Sequence, residues 1–182
     1  MGLAEEIAGV REAAAAFADA GEEVVGVVPA EPARGVRVHL CAFERGDRRR
    51  WLALDAGGRP LADRSLVRDA VSIAAMCELA EESAGGGDVG ALRARLVELR
   101  LTENPEGIED AEVAAAELQE ALRPLPRVAS AGYLDEIGAA VGRLEQALGG
   151  HGSPFAEAMR SGMVAAEELA AEVEAAYKTE IA

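Results

Sequence analysis

Val36-Arg37-Val38-His39-Leu40-Cys41-Ala42-Phe43-Glu44, then Arg45-Gly46-Asp47-Arg48, then Arg49-Arg50-Trp51-Leu52-Ala53-Leu54-Asp55 reads as two β-strands joined by a short polar loop. β-Branched, aromatic and aliphatic residues alternate with polar ones on both sides of a glycine-containing connection, the pattern of a hairpin. Pairing Glu44 with Arg49 sorts the side chains. Val36, Val38, Leu40, Ala42, Trp51 and Ala53 share one face, which reads as core. Arg37, His39, Cys41, Phe43, Arg50, Leu52 and Leu54 share the other. That second face is mixed: Phe43, Leu52 and Leu54 beside Arg37, His39 and Arg50 make an apolar patch rimmed by arginine, the composition of an interface. The alternative is that a helix of the same chain covers it.

Upstream, Leu3, Ile7, Val10, Ala14 and Phe17 recur at helical spacing and predict a helix over 3–20. Glu23 to Val28 is short and valine-rich and predicts a third strand, stopped by Pro29 and Pro32 at a sheet edge. Downstream, Ala56-Gly57-Gly58-Arg59-Pro60 is a turn that lets Leu61-Ala62 add a short extension. Asp63 or Ser65 caps a helix to about Ser83. A glycine-rich break over 84–87 precedes a helix that ends near Asn104-Pro105, and a further helix over 106–123 stops at Pro124-Leu125-Pro126. After Ser130 comes the most regular repeat in the chain: Leu134, Ile137, Val141, Leu144 and Leu148 form a heptad-like seam in search of a partner helix. Gly149-Gly150-His151-Gly152 interrupts, and Ser153-Pro154 opens a last helix to about Thr179. The expected fold is α+β and helix-rich: an N-terminal helix, a small three-stranded antiparallel sheet, then four to five helices forming a C-terminal bundle. Residues 1–84 form the first segment and 85–182 the bundle packed on it, as one continuous domain or as two.

The charge is uneven. The 182 residues carry 33 acidic and 18 basic side chains, net −15. Residues 1–33 sum to −6, 34–68 to +5 and 69–182 to −14. Half of the basic residues therefore sit on the hairpin and its flanks, with Arg45, Arg48, Arg49 and Arg50 at one tip. Arginine's planar fork suits carboxylate and phosphate, so the tip is a candidate site for an acidic partner; pairing with acidic groups of the same chain is the competing explanation. Long nucleic acid is disfavoured, because no aromatics interleave with the arginines and the rest of the chain would repel a polyanion. No apolar run approaches the 18 or more residues of a membrane span. The N-terminus lacks the basic and apolar regions of a signal peptide, and two cysteines are too few for a secreted disulfide scaffold, so the expected compartment is the cytoplasm.

Candidate chemistry is sparse. His39, Cys41, Cys77 and His151 could in number complete a zinc site, but they lack the short spacings that mark one, and neither a metal nor another cofactor is expected. Cys77-Glu78-Leu79-Ala80-Glu81-Glu82 resembles the helical part of a Nudix box, whose glutamates bind Mg²⁺ in that family. Cys77 stands where that family has arginine and Ala84 where it has glycine, so Glu78, Glu81 and Glu82 read as a solvated helix face. No nucleophile elbow or phosphate-binding loop occurs. The helix-strand-strand-strand-helix opening is similar in outline to the secretion-chaperone-like fold, whose members dimerise and bind polypeptide segments. The expectation is a non-enzymatic cytoplasmic interaction or scaffold module that binds a protein partner or itself. It would use Arg37, His39, Phe43, Arg45, Arg48, Arg49, Arg50, Leu52 and Leu54, and would dimerise through the 134–148 seam. The alternatives are a small-molecule binder or enzyme with a pocket between sheet and helices, using Arg37, His39 and Cys41, and a self-assembling structural component.

Overall fold

A computed structural model describes residues 2–85, 89–147 and 154–177, with side chains outside the description for 154–159. The chain is α+β. In order come α1 (Leu3–Ala15), β1 (Glu23–Ala33), β2 (Val36–Arg45), β3 (Arg48–Leu54), α2 (Arg64–Gly85), α3 (Val89–Thr102), α4 (Ile108–Ala121), β4 (Ala129–Ser130), α5 (Ala131–Ala147) and α6 (Pro154–Ala176). Two compact units divide it: residues 1–75, 126–131 and 165–182 make the first, and 76–125 with 132–164 the second. Both α2 and α6 contribute residues to each.

The first unit holds a four-stranded sheet in the order β3-β2-β1-β4, with β4 parallel to β1 and the rest antiparallel. The expected three-stranded antiparallel sheet is thus corrected to a four-stranded mixed one. The hairpin register pairs Glu44 with Arg49, and pairing extends to Arg45 with Arg48. Only Gly46 and Asp47 remain in the turn. Gly46 has φ +62° while Asp47 does not enter the positive region, the type II′ pattern whose twist matches flanking strands.

β1 runs on through Pro29 and Pro32 to Ala33, beyond the predicted stop. The carbonyl of Ala53 accepts from Leu61 N–H at 2.9 Å on the outer side of β3. By the two-residue alternation of an antiparallel ladder, Leu54 then exchanges its bonds with His39. His39 thus faces β3, so Pro29, opposite His39 in β1, turns its nitrogen away from β2. No ladder bond is lost there. Pro32 falls in the register irregularity between Ala30 and Ala33, another place where an N–H is dispensable.

Both faces of the hairpin are buried. Val38, Leu40, Ala42 and Ala53 are inside on one, and His39, Cys41, Phe43, Leu52 and Leu54 on the other; Val36 is exposed. α1 packs on the second face, burying Val10 and Ala14 and setting Glu6 against Arg37 and His39. The other buried apolar side chains of this unit include Val67, Ala70 and Val71 of α2 and Ala166, Ala170 and Val173 of α6. α2 and α6 are tied by Ser72 Oγ donating to Glu167 at 2.7 Å and by the Arg64 guanidinium donating to the carbonyls of Glu174 (2.6 Å) and Ala175 (3.0 Å).

The second unit is helical among its described residues. Ile137, Val141 and Leu144 of the seam are buried and Leu134 is half-buried; Leu148 lies outside the described residues. α4 buries Ile108, Ala111, Ala114, Ala115 and Leu118 and packs on α3. Arg143 of α5 pairs with Glu117 of α4 (2.5 Å), and Arg123, just past α4, pairs with Glu136 of α5 (2.8 Å). The seam finds its partner within the chain and is not free for the dimer contact expected of it.

Candidate functional site: a cleft at the open edge of the sheet

The exposed apolar patch expected at Phe43, Leu52 and Leu54 is corrected: all three are buried in the chain. The arginine-rich rim explains how α1 came to be accommodated over them. Glu6 receives Arg37 Nη1 at 3.1 Å and lies 2.8 Å from Nε2 of the fully buried His39. The Arg50 guanidinium stacks over the Phe43 ring, 4.3 Å from its centroid. It also donates to the Phe17 carbonyl at 2.6 Å and to Glu22 at 2.7 Å. Charge-assisted bonds of this kind satisfy the cation while its flat face remains on the ring. The contact holds the Glu22 carboxyl below its ordinary range, chiefly through the Arg50 hydrogen bond, and raises Arg50 for the same reason.

Self-pairing accounts for most of the basic tip. Arg49 Nε donates to Glu44 at 2.8 Å, and Arg45 donates to the Ala20 carbonyl at 3.2 Å. Arg48 is exposed and makes no ion pair among the described residues. Cys41 is fully buried, and burial pushes its thiol up to about 12, which removes it as a nucleophile near neutral pH. Cys41 and His39 belong to the first unit and Cys77 to the second, while His151 lies outside the described residues. Among the described residues no three His, Cys, Asp or Glu side chains gather as metal ligands, and no helix is long and apolar enough to cross a membrane.

A concave feature of the first unit lies elsewhere. A cleft of about 780 Å³ runs beside β3, between the end of α1 and the last turns of α6. Its floor is Arg49, Arg50, Trp51 and Leu52. Phe17 and its neighbours form one wall, and Leu169, Val173 and Tyr177 the other, with Asp19 and Glu172 also lining it. β3 is the edge strand, so the cleft opens onto backbone. The outer carbonyl of Ala53 is occupied: it receives Leu61 N–H at 2.9 Å and the Tyr177 hydroxyl at 3.4 Å, and that hydroxyl also bonds the Leu61 carbonyl at 2.6 Å. The same alternation turns the N–H and C=O groups of Trp51 and Arg49 outward. Neither residue has a backbone partner on that side among the described residues.

Of the residues singled out from sequence, Arg49, Arg50 and Leu52 reach this cleft; Arg48 stands at its hairpin end. Arg37, His39, Phe43 and Leu54 do not line it. Trp51 was assigned to the core face but is only half-buried and flanks the opening. Phe17, Leu169, Val173 and Tyr177 were missed, because membership of the cleft follows from tertiary placement and no local pattern announces it. No protein-family model matches this sequence, and neither a search of curated proteins nor one of solved structures finds a match.

Proposed function

We propose that the chain is a non-enzymatic, cytoplasmic protein-interaction module whose partner docks in the cleft beside β3. The supporting observation is the pair of outward-facing backbone positions, Arg49 and Trp51, opening onto a cleft whose walls present Phe17, just past α1, and Leu169 and Val173 of α6. Edge strands with unused N–H and C=O groups are templates for another polypeptide, and Trp and Arg at such a position are the residue types enriched at interface hot spots. The apolar surfaces expected to drive a homodimer, the seam and the mixed face, are largely buried within the chain. The partner is therefore a different protein.

The test is a photo-crosslinking side chain at Leu169, which is exposed and lines the cleft, with a second at Leu101, exposed on α3 in the other unit. Discrete protein adducts from position 169 and none from 101 are expected. A metabolite that raises the melting temperature and protects the cleft, with no protein adduct at 169, would replace the proposal with the small-ligand alternative.

A further inference from the structure

We infer that the cleft takes an extended polypeptide segment, which adds to β3 as a fifth strand, carries small apolar side chains into the cleft and sets a carboxylate against Arg48. This rests on the cleft's being a protein-binding site and specifies the occupant's chemistry. Arg49 and Trp51 each offer one N–H and one C=O to the open side, two residues apart, which is the spacing of a strand ladder. A helix has spent its own backbone groups internally and cannot answer them; an extended chain can. The free edge has a defined end, because Leu61 and Tyr177 take the Ala53 carbonyl. The segment is therefore short and lies toward the hairpin.

Side-chain preference follows from the walls. Successive residues of an added strand point alternately to the two faces, here toward Phe17 and Leu52 on one side and toward Trp51, Leu169 and Val173 on the other. Each side offers these apolar groups, with Asp19 and Glu172 also lining the cleft, so neutral residues of modest size suit both positions. Beyond the cleft, at the hairpin end, Arg49 is already paired with Glu44 and Arg50 with Glu22, whereas Arg48 has no ion pair among the described residues. A carboxylate there completes it. A second copy of β3 is disfavoured: antiparallel self-addition that pairs the two open positions sets Arg49 opposite Trp51 and Arg50 opposite its own copy, and like charges directly opposite are destabilising.

The experiment uses the full chain and three fluorescein-labelled peptides read by polarisation. The first alternates valine and threonine and ends in two aspartates. The second ends in two lysines, and the third is the first with alternate backbone nitrogens methylated, made in both phases. The aspartate peptide should bind, one methylated phase should bind about tenfold more weakly or not at all, and the lysine peptide should be at least about fivefold weaker. Arg48→Glu, an exposed change, should erase the difference between aspartate and lysine ends. Equal binding of both methylated phases overturns strand addition, and equal binding of the two charged ends to the unaltered chain overturns the role of Arg48. Concentration-dependent dimerisation by light scattering that is lost in a Trp51→Pro chain makes a second copy the occupant and overturns the proposal. If the Leu169 crosslinker captures a protein while no peptide binds, strand addition is wrong and the interaction site stands; if both fail, the site itself falls.

Discussion

Phe43→Ala separates a core residue from an interface residue in a single substitution. Phe43 is fully buried on the face that α1 covers, and the Arg50 guanidinium lies 4.3 Å from its ring centroid. A buried aromatic removes roughly 150–250 Å² from water. At about 25 cal/mol per Å² that is worth about 4–6 kcal/mol, of which alanine keeps a small part. The cavity that remains and the stacking lost from Arg50 place the net cost at about 3–5 kcal/mol. Trp51 is the only tryptophan of the chain and sits on β3, so its fluorescence follows unfolding of the sheet unit without interference. With an m-value of about 2 kcal/mol per molar urea, the fluorescence midpoint should fall by about 2 M. Phe43→Leu should cost less than about 1.5 kcal/mol. A loss below about 1.5 kcal/mol for the alanine variant, or a loss of oligomerisation with unchanged urea stability, would show that the ring is not packed beneath α1 and would refute the burial argument.

Other consequences follow from the same unit. The Glu22 carboxyl is held below its ordinary value by Arg50, so its contribution is present above the unfolded-state pKa and is lost as pH falls through the lowered folded value; Glu22→Gln should flatten the acid limb of a Trp51-monitored stability profile while changing little in the slope above pH 6. Glu6→Ala removes the partner of fully buried His39 and should destabilise the sheet unit by about 1–3 kcal/mol in urea titrations. Cys41 and Cys77 are buried, so a thiol reagent at pH 8 should label neither in the native chain and both in 8 M urea, counted by mass spectrometry.

The hairpin was legible because its signals are local. Two-residue alternation and the short Arg45-Gly46-Asp47-Arg48 loop point to the Glu44–Arg49 register without reference to the rest of the chain. The covering of its mixed face was not. Arg37, His39 and Arg50 look like a solvated rim, and the groups that make them compatible with burial, Glu6 and the Phe17 carbonyl, lie 33 residues away from His39 and Arg50 respectively. The seam of α5 was visible as a repeat, but a heptad pattern does not say whether another chain covers it or, as here, the same chain does. β4 is two residues long and directly precedes the α5 repeat, too short to leave a pattern of its own. The cleft needed the end of α1, β3 and α6 together, three elements that are not neighbours in the sequence, so sequence could supply its floor and not its walls.

Backbone hydrogen exchange at Arg49 and Trp51 measures the open edge directly. In the free chain both amides should exchange far faster than those of Arg50 and Leu52, which face β2. The aspartate-ended peptide should slow Arg49 and Trp51 by at least about tenfold and leave α3 unchanged. Protection of Arg49 and Trp51 equal to that of their neighbours in the free chain, or no slowing at saturating peptide, would contradict an edge that is open and receives a strand.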